Sequence, residues 1–292
     1  MAVVLPPELI DEIFYVLKGN ALTRGPKRKG YVKAIQHCLF VSKPFRHRAL
    51  QILFQHIRIS NYSPKIGPKH LAVLRQIISP PPELNFEGVG RYVESVSISF
   101  KPLPEISIFS RPSKHLEDLK NFLGDENLVA VINGLHGEDY GIKDLDVNLV
   151  MSRNGRASCG TKWDEIDPRF CAALAALAQS PQLNYLWISD IHHVPLTLLN
   201  NSHIQYLRLH HSILGQPISY FSHPAQELPY PILEAVFYNS AASQLQKVPN
   251  GPFQHLTEFD SLSHGQEQMR EAWRIICAAS ETLESISIVH YG

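Results

Sequence analysis

The residues able to do chemistry in this chain are fifteen histidines, four cysteines and one run of carboxylates. Imidazoles bind transition metals, and His192-His193 and His210-His211 stand out as adjacent pairs. Each pair lies at or just after a predicted strand, where neighbouring side chains point to opposite faces, so neither closes on a single ion. The pairs follow similar motifs and could meet across neighbouring strands, with no cysteine beside either of them. Glu138, Asp139, Asp144 and Asp146 form an acidic cluster without the ligand order and glycine of an EF-hand loop, and a solvated loop and strand edge explain it better. Cys159 and Cys171 could be nucleophiles only as thiolates, and no neighbouring base activates either. Gly88-x-Gly90 runs into Arg91-Tyr92 and a predicted strand, where a dinucleotide loop would open a helix. No nucleophile elbow, phosphate loop or zinc-protease motif occurs. The sequence therefore predicts a protein that is not an enzyme, with no cofactor and no metal.

Composition narrows the class further. With 44% apolar and 18% charged residues, 292 residues can build a sizeable core and are too apolar for disorder. That length favours one small module and one larger body. Lys plus Arg equal Asp plus Glu at 27 each, so no net field draws in nucleic acid or an anionic membrane. Cys38, Cys159, Cys171 and Cys277 are dispersed without a CxxC pair, which fits reduced thiols. The apolar start Met1 to Leu5 lacks a basic flank and soon meets Pro6-Pro7-Glu8, unlike a secretory signal. No run reaches the roughly 18 apolar residues of a membrane helix. A cytoplasmic and/or nuclear protein is expected, with neither nucleic acid nor membrane as partner.

The elements that must position any site begin with a helix predicted from Pro6 to Leu17, its prolines in the first turn and Glu8, Asp11 and Glu12 at the positive end of the helix dipole. Leu9, Ile13, Val16 and Leu17 share one face, and Ile10 and Phe14 an adjoining one, an apolar stripe wider than a single packing surface needs. Tyr31 to Phe54 is apolar again, broken by Ser42-Lys43-Pro44, where one helix ends and the next begins. Three short helices follow, in a segment of about fifty residues whose own core is marginal. Lys18 to Lys33 carries six basic residues and no acidic one, and reads as an inserted basic loop, solvated or holding an import signal at Lys27-Arg28-Lys29.

In this module Leu5, Pro6, Glu8, Leu9 and Ile13 are followed by Leu39, Val41, Ser42, Lys43, Phe45 and Arg46. The two halves, covering about residues 4 to 56, resemble the F-box, which opens Leu-Pro-x-Glu-[Leu/Ile] and continues Leu-Val-[Ser/Cys]-[Lys/Arg]-x-[Phe/Trp]. The 18–33 stretch is longer than the usual connection. The resemblance implies that the apolar residues around the Leu-Pro turn and the following helices dock a Skp-type adaptor, and through it a cullin–RING ubiquitin ligase. It marks Leu5, Pro6, Leu9, Ile13, Val41 and Phe45 as adaptor-binding candidates.

Residues 60–92 read as a linker, rich in proline, with one helix at Lys69 to Ile78. Over 93–292 a spacing apolar-x-x-apolar-x-apolar recurs at Val93, Ile142, Leu183, Ile204, Leu233, Leu256 and Leu283, weakest at Leu256. The last four intervals are 21, 29, 23 and 27 residues, near the period of leucine-rich repeats. The fold class predicted is α/β, with the N-terminal helical module (1–59) followed by an irregular solenoid with a parallel strand face. Helices are expected near Leu116–Leu123, Glu126–Leu135, Arg169–Gln179 and Gln266–Ser280. The body resembles the degenerate leucine-rich-repeat-like regions behind fungal F-boxes. The asparagine or cysteine that closes each regular turn is missing, its places held by Lys101, Val150, Ile191, Ser212, Ala241, His264 and Tyr291. A different α/β arrangement is the rival.

Taken together, the sequence predicts a substrate receptor of a cullin–RING ligase, holding an adaptor with the module and an unidentified protein target with the body. Tyr185, Trp187, Tyr206 and Phe237, at strand positions that can face outward, are the target-binding candidates. The alternative is a repeat scaffold that works without any ubiquitin ligase.

Overall fold

The structure is a computed structural model of the chain. It describes residues 5–22, 28–61, 68–81, 83, 88–100, 112–137, 139–149, 161–199, 202–210, 212–215, 235–239, 256–263 and 266–290. The architecture is mixed α/β.

Three helices open the chain: α1 (Pro7–Leu22), α2 (Arg28–Cys38) and α3 (Lys43–Phe54). Ser42 holds the extended N-cap position of α3 and Pro44 sits in its first turn, where the missing N–H costs nothing. The basic stretch 18–33 is not a loop across its length, because α1 runs on to Leu22 and α2 starts at Arg28. Lysine and arginine are good helix formers, so a basic run is no helix stop. The import-signal reading at Lys27-Arg28-Lys29 falls partly outside the described residues.

Ile10, Phe14, Ile35, Phe45 and Ala49 form a small separate core, with Leu17, Cys38, Leu39, Ile52 and Leu53 packed against it. The Phe14 and Phe45 rings meet at 5.7 Å, a separation typical of attractive tilted pairs. Of the two apolar faces of α1, the Ile10–Phe14 face turns inward.

The body is built on one parallel sheet of eight strands whose spatial order follows the chain: β1 (His56–Ser60), β2 (Ser95–Phe100), β3 (Asp144–Leu149), β5 (Tyr185–Ser189), β7 (Tyr206–His210), β9 (Ala235–Asn239), β10 (Glu258–Ser263) and β11 (Ser285–His290). Each recurring apolar motif supplies one strand, and the register sets its central residue beside that of the next. One ladder runs Ile57, Val96, Leu145, Leu186, Leu207, Val236, Phe259, Ile286 across the sheet. Of these, Val96, Leu145, Leu186, Leu207 and Phe259 are buried in the core, whereas Ile286 on the last strand is exposed, and parallel strands require a crossover between neighbours.

Among the described residues, α-helices lie in four of the crossovers: α4 (Pro68–Ile78) between β1 and β2, α5 (Pro112–Leu123) and α6 (Glu126–Asn133) between β2 and β3, α7 (Pro168–Ala178) between β3 and β5, and α8 (Gln266–Ala278) between β10 and β11. Leu71, Leu119, Leu123, Leu128, Ile132, Phe170 and Leu177 join the strand residues in one core. Asp125 and Asp167 cap α6 and α7 through hydrogen bonds of 2.8 Å from the backbone N–H groups of Asn127 and Arg169.

The body begins earlier than the sequence reading placed it. β1 starts inside residues 1–59 yet pairs with β2, and α4, inside the expected linker 60–92, packs against α6. Phe54-x-x-Ile57-x-Ile59 has the same spacing as the later motifs, so the signal was present in the sequence. It was hidden because Phe54 also ends the last helix of the N-terminal module.

A second parallel sheet, β4 (Thr161–Lys162), β6 (Ile191–Pro195) and β8 (Ile213–Gly215), carries the chain beyond the corners of the large one. Asp190 turns the corner from β5 to β6 at φ 62°, and its carbonyl accepts from the Thr161 N–H at 3.1 Å. The buried Ser212 hydroxyl accepts from the Ile191 N–H and donates to the Ile188 carbonyl, both at 3.2 Å. Ser212 thus satisfies turn backbone at one of the places where a regular repeat carries asparagine. Ile191 sits in β6, and the other five of those places fall outside the described residues.

Candidate functional site

Two surfaces are assembled by these elements, one on the helical module and one on the sheet. Once Ile10 and Phe14 face inward, helical spacing turns Leu9, Ile13 and Val16 outward as one stripe. Leu9 is 51% and Ile13 40% exposed, and Leu5 and Pro6 before them are exposed too. In the turn between α2 and α3, Val41 is exposed and Phe40 is 83% exposed. That turn is fixed by backbone bonds from Leu39, Phe40 and Val41 to carbonyls three residues earlier, and by Arg46 Nε donating to the Leu39 carbonyl at 3.0 Å. Phe45 differs from the other adaptor candidates: at 9% exposure it packs on Phe14, so it holds the module together and presents nothing to a partner. Phe40 was not among the candidates, and its exposure is what marks it.

Module and sheet are locked together. α3 is followed within two residues by β1, and Gln55 between them is a hub. Its side-chain carbonyl accepts from Lys18 Nζ of α1 at 2.8 Å, its amide donates to the Glu94 carboxylate, and its backbone carbonyl accepts from the N–H groups of Glu94 and Ser95, both at 3.0 Å. The Glu94 carboxyl is held below its ordinary value by the Gln55 hydrogen bond and by Lys143, which donates to it at 3.1 Å. The His47 and Tyr92 rings pack edge-on at 5.1 Å. A cavity of about 290 Å³ lies at this junction, lined by Lys18, Arg48, Gln55, Arg91 and Glu94 among others.

The second surface is the side of the sheet turned away from the helices. Its residues occupy the variable positions of the apolar motif, and register brings Arg58, Ser97, Asp146, Trp187, Arg208, Phe237, Asp260 and Ser287 into one row. His56, Ser95, Asp144, Tyr185, Tyr206, Ala235, Glu258 and Ser285 form the row beside it. Tyr185, Trp187 and Tyr206 are therefore neighbours on one face, each partly exposed. Phe237 follows at the equivalent place on β9, its side chain outside the described residues. The Arg208 guanidinium stacks 4.3 Å from the Trp187 ring centre.

Asp144 and Asp146, expected in a solvated loop and strand edge, instead stand on β3 inside the sheet, on this face and beside the aromatics. Burial pushes both carboxyls above their ordinary value near 3.8, although Ser97 Oγ donates to Asp146 Oδ2 at 2.9 Å. Asp139 lies apart in a turn, and Glu138 lies outside the described residues.

The remaining reactive residues are placed for structure. His192 and His193 belong to β6 of the small sheet and His210 to β7 of the large one, so the pairs do not face each other across neighbouring strands; His211 lies outside the described residues. No group of three metal-binding side chains occurs among the described residues. Burial, with the Asp167 carboxylate nearby, pushes the Cys171 thiol up to about 12, so it keeps its proton at neutral pH. Cys159 falls outside the described residues. The glycines at 88 and 90 serve close packing, since a Cβ on Gly88 would run into the Ile78 carbonyl and one on Gly90 into that of Gly134. No helix among the described residues is long and apolar enough to cross a membrane. No family model matches the chain, and no curated protein matches it.

Proposed function

We propose that this chain is a substrate receptor of a cullin–RING ubiquitin ligase, acting in the cytoplasm or nucleus, with an F-box-like module that docks a Skp-type adaptor and a repeat body that holds a protein target. The observation that carries the reading is the division of labour on α1: Ile10 and Phe14 complete the module's own core, while Leu9 and Ile13, one residue away from each, stay uncovered. Uncovered leucine and isoleucine on a marginal helical unit favour a partner that dries them, at roughly 1.5–3 kcal/mol per side chain. The motif residues Leu5, Pro6 and Val41 are uncovered as well.

The body suits the second task. Its strand face offers Tyr185, Trp187 and Tyr206 in adjacent rows, and large aromatic side chains dominate protein interfaces. The Gln55 hub joins the module to the first strands, so the adaptor and the target would be held at a fixed separation. On this reading the chain performs no bond chemistry; it raises the concentration of target beside a ubiquitin-charged enzyme.

Co-purification with a Skp-type adaptor is the test. The wild-type chain is expected to retain adaptor, and Leu9→Asp and Ile13→Asp to lose it while circular dichroism shows the body still folded. A wild-type chain that retains no adaptor removes the receptor reading and leaves the repeat scaffold acting without a ligase.

A further inference from the structure

The two edges of the large sheet are finished differently. β1, at one edge, bears Arg58 and is continuous with the helical module. β11, at the other, reads Ser-Ile-Ser-Ile-Val-His and has no lysine, arginine, carboxylate, proline or bulge, the devices that keep an edge strand from pairing. No strand pairs with its far side among the described residues. The Ser285 N–H donates to the Thr257 carbonyl at 2.9 Å, so alternation along the parallel ladder turns the backbone groups of Ser287 toward β10 as well and aims those of Ile286 and Ile288 outward.

The core is open at the same place. Phe259 on β10 is buried, whereas its register partner Ile286 is 53% exposed. α8, the helix between these strands, buries Ala272, Ile275, Ile276 and Ala279 and leaves Trp273 exposed. In the right-handed crossover usual for parallel strands, the flank of α8 that carries Trp273 is the one turned to the β11 side.

The strand's own sequence narrows what can cover it. A two-fold axis through Ser287 sets β11 antiparallel to itself, with Ile286 opposite Ile288 of the second copy, Ser285 opposite Val289 and Glu284 opposite His290. Opposed residues share one side of a sheet, so the isoleucine pairs prolong the apolar ladder, and their outward backbone groups exchange both hydrogen bonds of a closely spaced pair. A small residue lies on the axis, and a carboxylate residue stands opposite a histidine at either end. The formal net charge of zero sets up no repulsion between copies, and β11 carries no formal charge with which to select a foreign strand.

We propose that a second copy of this chain docks on β11, the two strands pairing antiparallel about Ser287 and joining both sheets into one. Ile286 is covered, and the two Trp273 flanks face each other across the axis. The helical modules, next to β1, stand at the two far ends of the joined sheet, so dimerisation and adaptor docking use separate surfaces and either can fail without the other.

Sedimentation equilibrium of the full-length chain reads the assembly, and introduced cysteines read its register. The wild type is expected to sediment at twice the chain mass of 33.0 kDa. Ser287→Lys sets two ammonium groups against each other on the axis and is expected to sediment as a monomer with wild-type circular dichroism. With the exposed Cys277 replaced by serine, Ser287→Cys is expected to link the copies through a disulfide under mild oxidation, because opposed residues of a non-hydrogen-bonded pair bring their Cα atoms to about 4.5 Å. Ser285→Cys, which meets Val289, is expected not to link. A wild-type chain that stays monomeric at about 100 μM, a dimer that survives Ser287→Lys, or a dimer in which Ser287→Cys links no faster than Ser285→Cys overturns the proposal.

Discussion

Phe45 and Leu9 were both candidates for one docking face, and the structure gives them opposite work. Phe45 closes the small core on Phe14, so Phe45→Ala should cost about 3–5 kcal/mol of stability, whereas Leu9→Ala at a half-exposed site should stay within about 0.5 kcal/mol. Chemical denaturation of the two variants measures the difference directly, and equal losses would put Leu9 in the core. Asp146 invites a pH test. Its folded carboxyl sits above the unfolded value near 3.8, so the native state binds the proton more tightly and stability falls as pH rises through the folded value. Asp146→Asn should therefore raise the melting temperature at pH 7, by about one or two degrees because solvent reaching the carboxyl screens much of the effect, and the gain should vanish below the unfolded value. A variant less stable at pH 7 would show that the carboxylate is paid back by contacts of its own.

At the scale of elements, caps and crossovers decide where helices meet strands. Asp167 behaves in the opposite sense to Asp146, since the Arg169 side chain and the N-terminal amides of α7 hold its carboxyl below the ordinary value. Its contribution is present above about 3.8, the unfolded value, and is lost as pH falls through the folded one. Asp167→Ala should lower stability by about 1 kcal/mol near pH 7 and by progressively less in acid, read from denaturation midpoints across pH. This element was legible in advance, because Asp167-Pro168 combines a cap with a proline at the first turn. The strands were legible for the same kind of reason: an apolar spacing with period two leaves a local trace. The first strand was not, since Phe54 belongs to a helix pattern as well, and the basic stretch 18–33 was misread because charge says little about whether a segment is helical.

At the scale of the molecule, a small helical core and a large α/β core share one chain and are joined through Gln55, Glu94 and Lys143. The apolar ladder across the sheet was implicit in the recurring motif, and so was the row of aromatics that alternates with it. What the motif could not announce was the company those aromatics keep. Asp146 and Trp187 are distant in sequence and become neighbours only through strand register, so their pairing belongs to the folded object alone. The uncovered stripe on α1 is intermediate: the motif named Leu9 and Ile13, and packing of Ile10 and Phe14 left them outside.

The central claim is that this stripe is an adaptor-docking face, and calorimetric titration of the purified chain with a Skp-type adaptor at several temperatures addresses it most directly. The account predicts saturable binding with a negative heat-capacity change, as apolar burial requires, and an affinity about a hundredfold weaker for Ile13→Asp. Absence of binding at every temperature, or an Ile13→Asp chain that binds as the wild type does, would contradict it.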